Sequence, residues 1–277
     1  MFRLKRNYNQ LADKVAIITG SSRGIGRATA MMLCQYGAKV MLNGRHEERL
    51  KETYSALLAQ GFKVAYYATD VTELESCRNL INATIARFGK IDIIIANASI
   101  SMNARFDDIS PEHFKKVLDS NLYGAIMPAF AGIDMLKSTE GSLVFISSIA
   151  GFYGLPNGSA YSIGKMGLTA FVQSLQAELR NSGVHIGIIY VGFTQNDEEK
   201  RVVSANGHFV PVAHRPRIMQ QSQHQVAASI IKLILNRQRK ATLSIIGKTF
   251  RVLSRMSPML VSTIINWSQK GMREMYE

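Results

Sequence analysis

Seven short runs rich in β-branched and aliphatic residues recur along the chain: Val15–Thr19, Lys39–Asn43, Val64–Ala68, Ile91–Ala96, Leu143–Ser147, His185–Tyr190 and Thr242–Ile246. They are near-continuously apolar instead of alternating, the pattern of strands covered on both faces. Helix-length segments separate most of them. Glu47–Ala59 has apolar residues at helical spacing and stops before Gly61. Thr72–Phe88 opens on a threonine placed to cap it and stops before Gly89. Ser110-Pro111-Glu112 reads as a cap followed by proline at the first helical position. Repeated β-α units with right-handed crossovers predict an α/β fold, a doubly wound parallel sheet of about seven strands in a single domain. The 277 residues, 47% of them hydrophobic, suffice for its core. The expected divisions are an N-terminal arm (1–10), the α/β domain (11–247) and a basic C-terminal extension (248–277). Within the domain, the polar stretch 195–223 holds two prolines and no clear periodicity, as a substrate lid or a disordered segment would.

Composition removes several classes. Cys34 and Cys77 lie in helical segments and match no metal-ligand or disulfide spacing, so both read as free thiols of a reducing compartment and no metal is expected. No apolar run follows the basic N-terminus and no uncharged stretch is long enough to cross a bilayer, which predicts a cytoplasmic protein. The net charge of +13 is uneven: Ala213 to Glu277 hold 11 Lys/Arg against 2 Asp/Glu, the first 212 residues 22 against 18. No nucleic-acid reader motif accompanies the charge, so no nucleic-acid partner is expected.

The first strand runs into Thr19-Gly20-Ser21-Ser22-Arg23-Gly24-Ile25-Gly26, and a helical pattern follows. Glycines there permit a tight turn and bring backbone N–H groups close to a pyrophosphate, which the positive helix end favours. The spacing is Gly-x-x-x-Gly-x-Gly, unlike the common dinucleotide fingerprint. The second strand ends Leu42-Asn43-Gly44-Arg45, with no carboxylate for a ribose 2′-hydroxyl. Arg23 and Arg45 would instead bind a 2′-phosphate, which points to NADP(H).

Tyr161 and Lys165 stand four residues apart on a predicted helix and share a face. A lysine cation beside a phenol lowers its pKa and makes proton exchange with a substrate oxygen feasible. Ser148 closes the fifth strand, at the sheet edge where open α/β folds bind ligands. Asn121 interrupts a helical, mostly apolar stretch, where asparagine is a poor interior residue and a local kink is expected.

In combination these motifs resemble the short-chain dehydrogenase/reductase family, from roughly Leu11 to Ile246: TGSSRGIG, Asp70-Val71 after the third strand, Asn97-Ala98 after the fourth, Asn121, Ser148, and Tyr161 with Lys165. The resemblance implies a Rossmann-type fold and hydride transfer between nicotinamide and a ketone or secondary alcohol. Tyr161 would be the general acid/base. Lys165 would lower its pKa and hold the nicotinamide ribose. Ser148 would orient the substrate oxygen, and Asn121 would support a water-mediated proton relay. The implied cofactor contacts are Gly20, Ser22, Arg23, Gly24, Ile25 and Gly26 in the turn, with Arg45, Asp70, Val71, Asn97, Ala98, Tyr161, Lys165, Gly192 and Thr194 elsewhere. Two departures stand out: Ser99 replaces the family's usual glycine, and Val191-Gly192 replaces Pro-Gly, with Asn196 where a threonine is common.

Phe152, Tyr153, Leu155 and Phe193 fall where the family lines its substrate pocket, and suggest a hydrophobic ketone such as a keto-acyl, steroid or other lipid-like compound. A homodimer or homotetramer is expected. The rival reading is a non-catalytic NADPH-binding regulator on the same scaffold. Beyond the last strand, Lys248, Arg251 and Arg255 recur at helical spacing. Phe250, Leu253, Met256 and Leu260 recur on another side, and Ser257-Pro258 opens a second helix leading to Trp267. Two amphipathic helices are predicted, their apolar face packing on the body or another subunit, or lying in a membrane interface.

Overall fold

The computed structural model describes residues 9–195, 201–211 and 220–274, with the backbone alone for 268–274. The elements in chain order are β1 (Val15–Ile18), α1 (Gly24–Gln35), β2 (Lys39–Gly44), α2 (Glu47–Leu58), β3 (Val64–Ala68), α3 (Leu74–Phe88), β4 (Ile93–Ala96), β5 (Ser101–Met102), α4 (Pro111–Asn121) and α5 (Tyr123–Ser138). There follow β6 (Ser142–Ser148), α6 (Ser159–Glu178), β7 (His185–Val191), β8 (Arg201–Val203), β9 (Phe209–Pro211), α7 (Gln223–Leu235), β10 (Lys240–Thr242), α8 (Ile245–Met256) and α9 (Pro258–Glu274). Seven strands form one sheet in the order β10-β7-β6-β4-β1-β2-β3. Every pairing in it is parallel.

Strand order reverses between β1 and β4, the switch point at which ligands of such sheets bind. The apolar runs are continuous because successive strand residues enter opposite layers. Ala16 and Ile18 pack with Leu33 of α1, Leu50 of α2 and Ile230 of α7. Ile17 packs with Leu80 of α3, Ala129 of α5 and Leu168 of α6. Cys34 and Cys77 are buried free thiols, each pushed up to about 12 by burial.

Three expectations are corrected. The last strand covers Lys240–Thr242 instead of Thr242–Ile246: Ser244 accepts the N–H of Gly247 and caps a helix that begins at Ile245. Thr72 does not cap α3, which starts at Leu74; its N–H and hydroxyl both donate to Asp70 Oδ1 at 2.9 Å. The 195–223 stretch is not featureless, since β8 and β9 form a hairpin and β8 pairs with β5 in a second, three-stranded sheet. Its remaining parts at 196–200, Asn196 included, and 212–219 lie outside the described residues, as do residues 1–8 of the arm.

Candidate active site

The glycine turn is clipped to the end of β4. Thr19 Oγ1 accepts the N–H groups of Asn97 (3.0 Å) and Ala98 (2.9 Å), while Asn97 Nδ2 donates to the carbonyls of Thr19 (2.9 Å) and Gly20 (3.0 Å). Gly20 adopts φ +62°, and a Cβ on it would lie 2.8 Å from the Ala98 Cα. Only glycine satisfies both conditions. Asn97, expected at the cofactor, thus spends its amide inside the scaffold. Arg23 precedes α1 in an extended conformation, and no side chain caps that helix. Its N-terminal amides at Gly24, Ile25 and Gly26 face the switch point as a cradle suited to a pyrophosphate. Ser22 stands beside Gly44, where a Cβ would meet its Oγ at 3.5 Å.

Beyond the ends of β2 and β3, Arg45 and Asp70 form a half-exposed ion pair at 3.5 Å. Both border a surface pocket with Thr72, Lys115 and Asp119. Val71, buried, packs in the layer beneath.

The residues expected to carry acid/base chemistry come from three elements, β6, α6 and the end of α4. Ser148 ends β6, and its Oγ accepts the Ala150 N–H at 3.3 Å. Tyr161 and Lys165 lie one turn apart on α6. The Tyr161 ring packs against a small cluster that includes Ile100, Met102 and Val117. Lys165 is 3% exposed, and its ammonium donates to the Ile146 carbonyl at 3.0 Å, 5.6 Å from the Tyr161 ring centroid. Burial pulls the lysine down to about 8. Burial also raises the tyrosine, and a side-chain hydrogen bond with Ser148 opposes it. The expected lowering of the phenol by Lys165 is therefore absent: the cation is turned toward the Ile146 carbonyl, and desolvation dominates.

Asn121 is where the helical stretch breaks. α4 ends on it, Leu122 has φ −109° and ψ −67°, and the Ala125 N–H that a continuous helix would give to its carbonyl goes to Leu122 instead. The fully buried carboxamide donates to the carbonyls of Ile100 (2.7 Å) and Val117 (2.8 Å). Its Oδ1 accepts the Ser99 hydroxyl at 2.9 Å. Gly164 allows the approach: a Cβ there would lie 2.7 Å from Asn121 Cβ. The Asn121 backbone thus reaches α6 one residue from Lys165.

The four substrate candidates separate. Phe152 lies over Tyr190, ring centroids 4.1 Å apart, and is partly buried against the core. Tyr153 meets Phe250 of α8 edge-on at 6.3 Å. Leu155 donates its N–H to Ser162 Oγ, and Phe193 accepts the Gln221 N–H at its carbonyl. Thr194 bridges to Gln221 and bonds the Gly192 carbonyl at 3.5 Å. Gln221 was not visible as a site residue in the sequence, where it is one polar residue among many. Its Oε1 is buried with no hydrogen-bond partner among the described residues.

A family model described as short chain dehydrogenase matches residues 14–207. An uncharacterized oxidoreductase of Myxococcus xanthus is 32% identical over 189 residues, 68% of this chain and 75% of the relative. A dehydrogenase/reductase SDR family protein 7-like of Drosophila melanogaster is 28% identical over 242 residues, 86% of this chain and 74% of the relative. Among solved structures, an alcohol dehydrogenase of Thermococcus sibiricus complexed with 5-hydroxy-NADP is 28% identical. It superposes with a TM-score of 0.72 over 83% of this chain and 95% of its own.

Proposed function

Since the chain belongs to the short-chain dehydrogenase family and is an oxidoreductase of that family, we propose that it is an NADP(H)-dependent enzyme interconverting a hydrophobic ketone and its secondary alcohol. The observation that carries this is the meeting of the Tyr161 phenol, the Lys165 ammonium, the Ser148 hydroxyl and the Asn121 backbone at the carboxyl edge of the sheet, beside the glycine cradle. The uncapped start of α1 and the turn closed by Gly20 fit a dinucleotide pyrophosphate. Gly192 and Thr194 would line the nicotinamide, with Gln221 Oε1 offering an acceptor to its carboxamide. The bound nicotinamide supplies or accepts the hydride.

Every other step belongs to the protein. Ser148 Oγ holds the substrate oxygen, and Tyr161 Oη gives it a proton as the ketone carbon is reduced. Burial that raises the phenol keeps it protonated, as a general acid requires. A water between Lys165 and the Asn121 carbonyl would return the proton. For the phosphate preference, an exposed ion pair such as Arg45–Asp70 holds only about 0.2–1 kcal/mol. Charged hydrogen bonds to a phosphate contribute about 1.5–3 kcal/mol each, so Arg45 exchanges partners readily.

The test is nucleotide oxidation over keto-acyl, steroid and long-chain ketones. NADPH is expected to be preferred over NADH, less so after Arg45→Ala. Tyr161→Phe is expected to lower turnover about 10²–10⁴-fold while NADPH still binds. Equal efficiency with both nucleotides refutes the cofactor reading; near-native turnover by Tyr161→Phe refutes the assignment of the acid. Self-association remains part of the proposal: Tyr123 and Phe130, exposed and two turns apart on α5, support a homodimer or homotetramer, read by light scattering.

A further inference from the structure

The two C-terminal helices carry apolar side chains on both faces, and only one face is used. Inward, Phe250 meets Tyr153, Arg251 donates to Thr242 Oγ1 at 3.0 Å, and Val261 is buried. A Cβ on Gly247 would touch Ile149 at 3.5 Å, so α8 lies against the turn that follows Ser148. Outward, Ile245 (81% exposed), Val252 and Met256 (80%) run along α8 at intervals of seven and four. Met259 (83%), Leu260, Ile264 and Trp267 (80%) continue along α9. Exposed Lys248 and Arg255 flank the row. No Asp or Glu occurs between Glu199 and Glu274, a stretch holding 13 Lys/Arg.

We infer that this outer face docks on a bilayer surface carrying anionic lipids. Apolar side chains in a row, left in water, mark an interaction surface. The flanking cations select what covers it. A second copy placed face to face would set Lys248 and Arg255 against the same basic stretch, a like-charge contact that costs several kcal/mol. An anionic bilayer satisfies both halves: headgroup phosphates take the cations, while Met, Ile and Trp side chains enter the acyl boundary. No described helix is long and apolar enough to cross a membrane, so the contact is peripheral. Because α8 also touches Tyr153, docking holds the substrate side of the site near the bilayer; that corollary rests on the reading of a hydrophobic ketone, whereas the docking itself does not.

Trp267 is the only tryptophan in the chain and lies within the surface, so its emission reports the contact without a label. With full-length protein and phosphatidylcholine vesicles containing phosphatidylglycerol, emission is expected to shift to shorter wavelength and the protein to co-float. Pure phosphatidylcholine should give neither, and salt should weaken both. Lys248→Gln with Arg255→Gln is expected to weaken binding about thirtyfold, from about 1 kcal/mol per cation. Met256→Asp with Met259→Asp should abolish flotation. All four side chains are exposed and outside the acid/base and cofactor groups, so melting temperature and NADPH binding should hold; if the aspartate pair fails to fold, the glutamine pair carries the test. Absence of both shift and flotation overturns the inference. So does equal binding by the glutamine pair, or a blue shift without lipid that tracks a doubling of mass. Ketone turnover is not read at any point, so loss of the enzymatic proposal leaves this result standing.

Discussion

At the scale of single residues, Ser148, Tyr161 and Lys165 could be picked out in the sequence only in combination, since a tyrosine and a lysine four residues apart are common in helices and the strand-end serine is what adds to them. Ser99 was legible only as a departure; its partnership with Asn121 needed coordinates, since 22 residues and a helix separate them. Ser99 faces solvent and Asn121 is fully buried, so this hydroxyl ties a hidden carboxamide to the cleft. Ser99→Ala leaves Oδ1 short of a donor, at a cost on the order of 1 kcal/mol. The expected outcome is a small drop in melting temperature and a fall in kcat with NADPH affinity retained; an unchanged kcat would make the bond incidental. Lys165 gives a pH signature. Its folded pKa near 8 lies below the ordinary lysine range, so the unfolded chain binds more protons above about pH 8 and stability rises with pH there. Lys165→Met should lack that rise. The difference between variant and wild type, measured without cofactor, is expected to change by up to about 3 kcal/mol between pH 8 and the lysine range, because each pKa unit is about 1.4 kcal/mol.

At the scale of elements, helices and strands were readable wherever an apolar run exceeded the reach of one turn. Ser110 with Pro111 starts α4 as its sequence implies, Ser110 Oγ accepting the His113 N–H. The misplacement at Thr242–Ile246 has a local cause. Leu243-Ser244-Ile245-Ile246 suits a strand or a helix equally by periodicity, and the serine cap decides it. The β8–β9 hairpin was invisible because its strands have three residues each and one pairs with β5, a hundred residues earlier. The crossing of α6 over the α4–α5 junction depends on Gly164. Gly164→Ala puts a methyl group against the Asn121 Cβ and backbone. Such overpacking costs about 1–3 kcal/mol. Chemical denaturation should show that loss, with turnover falling as α6 moves away from the junction; wild-type stability would mean that the helices separate freely.

At the scale of the whole molecule, the two-sided core is what a string of buried strands demands, whereas the strand order and the place of its reversal needed the structure, since handed crossovers alone do not fix them. One buried charge braces the opposite edge of the sheet from the site. Asp92, 3% exposed, accepts the Val15 N–H (2.9 Å) and Lys14 (2.8 Å), with Lys90 at 3.0 Å. Burial pushes its carboxyl up, and these donors outweigh it and hold it below the usual range. Asp92→Ala strands the Val15 N–H and should cost about 1–3 kcal/mol at neutral pH. Because the folded pKa is depressed, the wild-type advantage is present above the unfolded value near 4 and fades as the pH falls below it. Melting curves of the pair at pH 7 and pH 3 read both points, and a constant gap would exclude the charge as the cause.

The strand order also orders events in time. The four neighbouring strands β3, β2, β1 and β4, with the turn that Asn97 clips shut, lie entirely within the first 98 residues. Ser148, Tyr161 and Lys165 come from the half added afterward, on β6 and α6. During N-to-C synthesis the glycine turn therefore leaves the ribosome within a contiguous half-sheet before Ser148, Tyr161 and Lys165 have been made. A chain that stopped there would carry the proposed nucleotide cradle without Ser148, Tyr161 or Lys165.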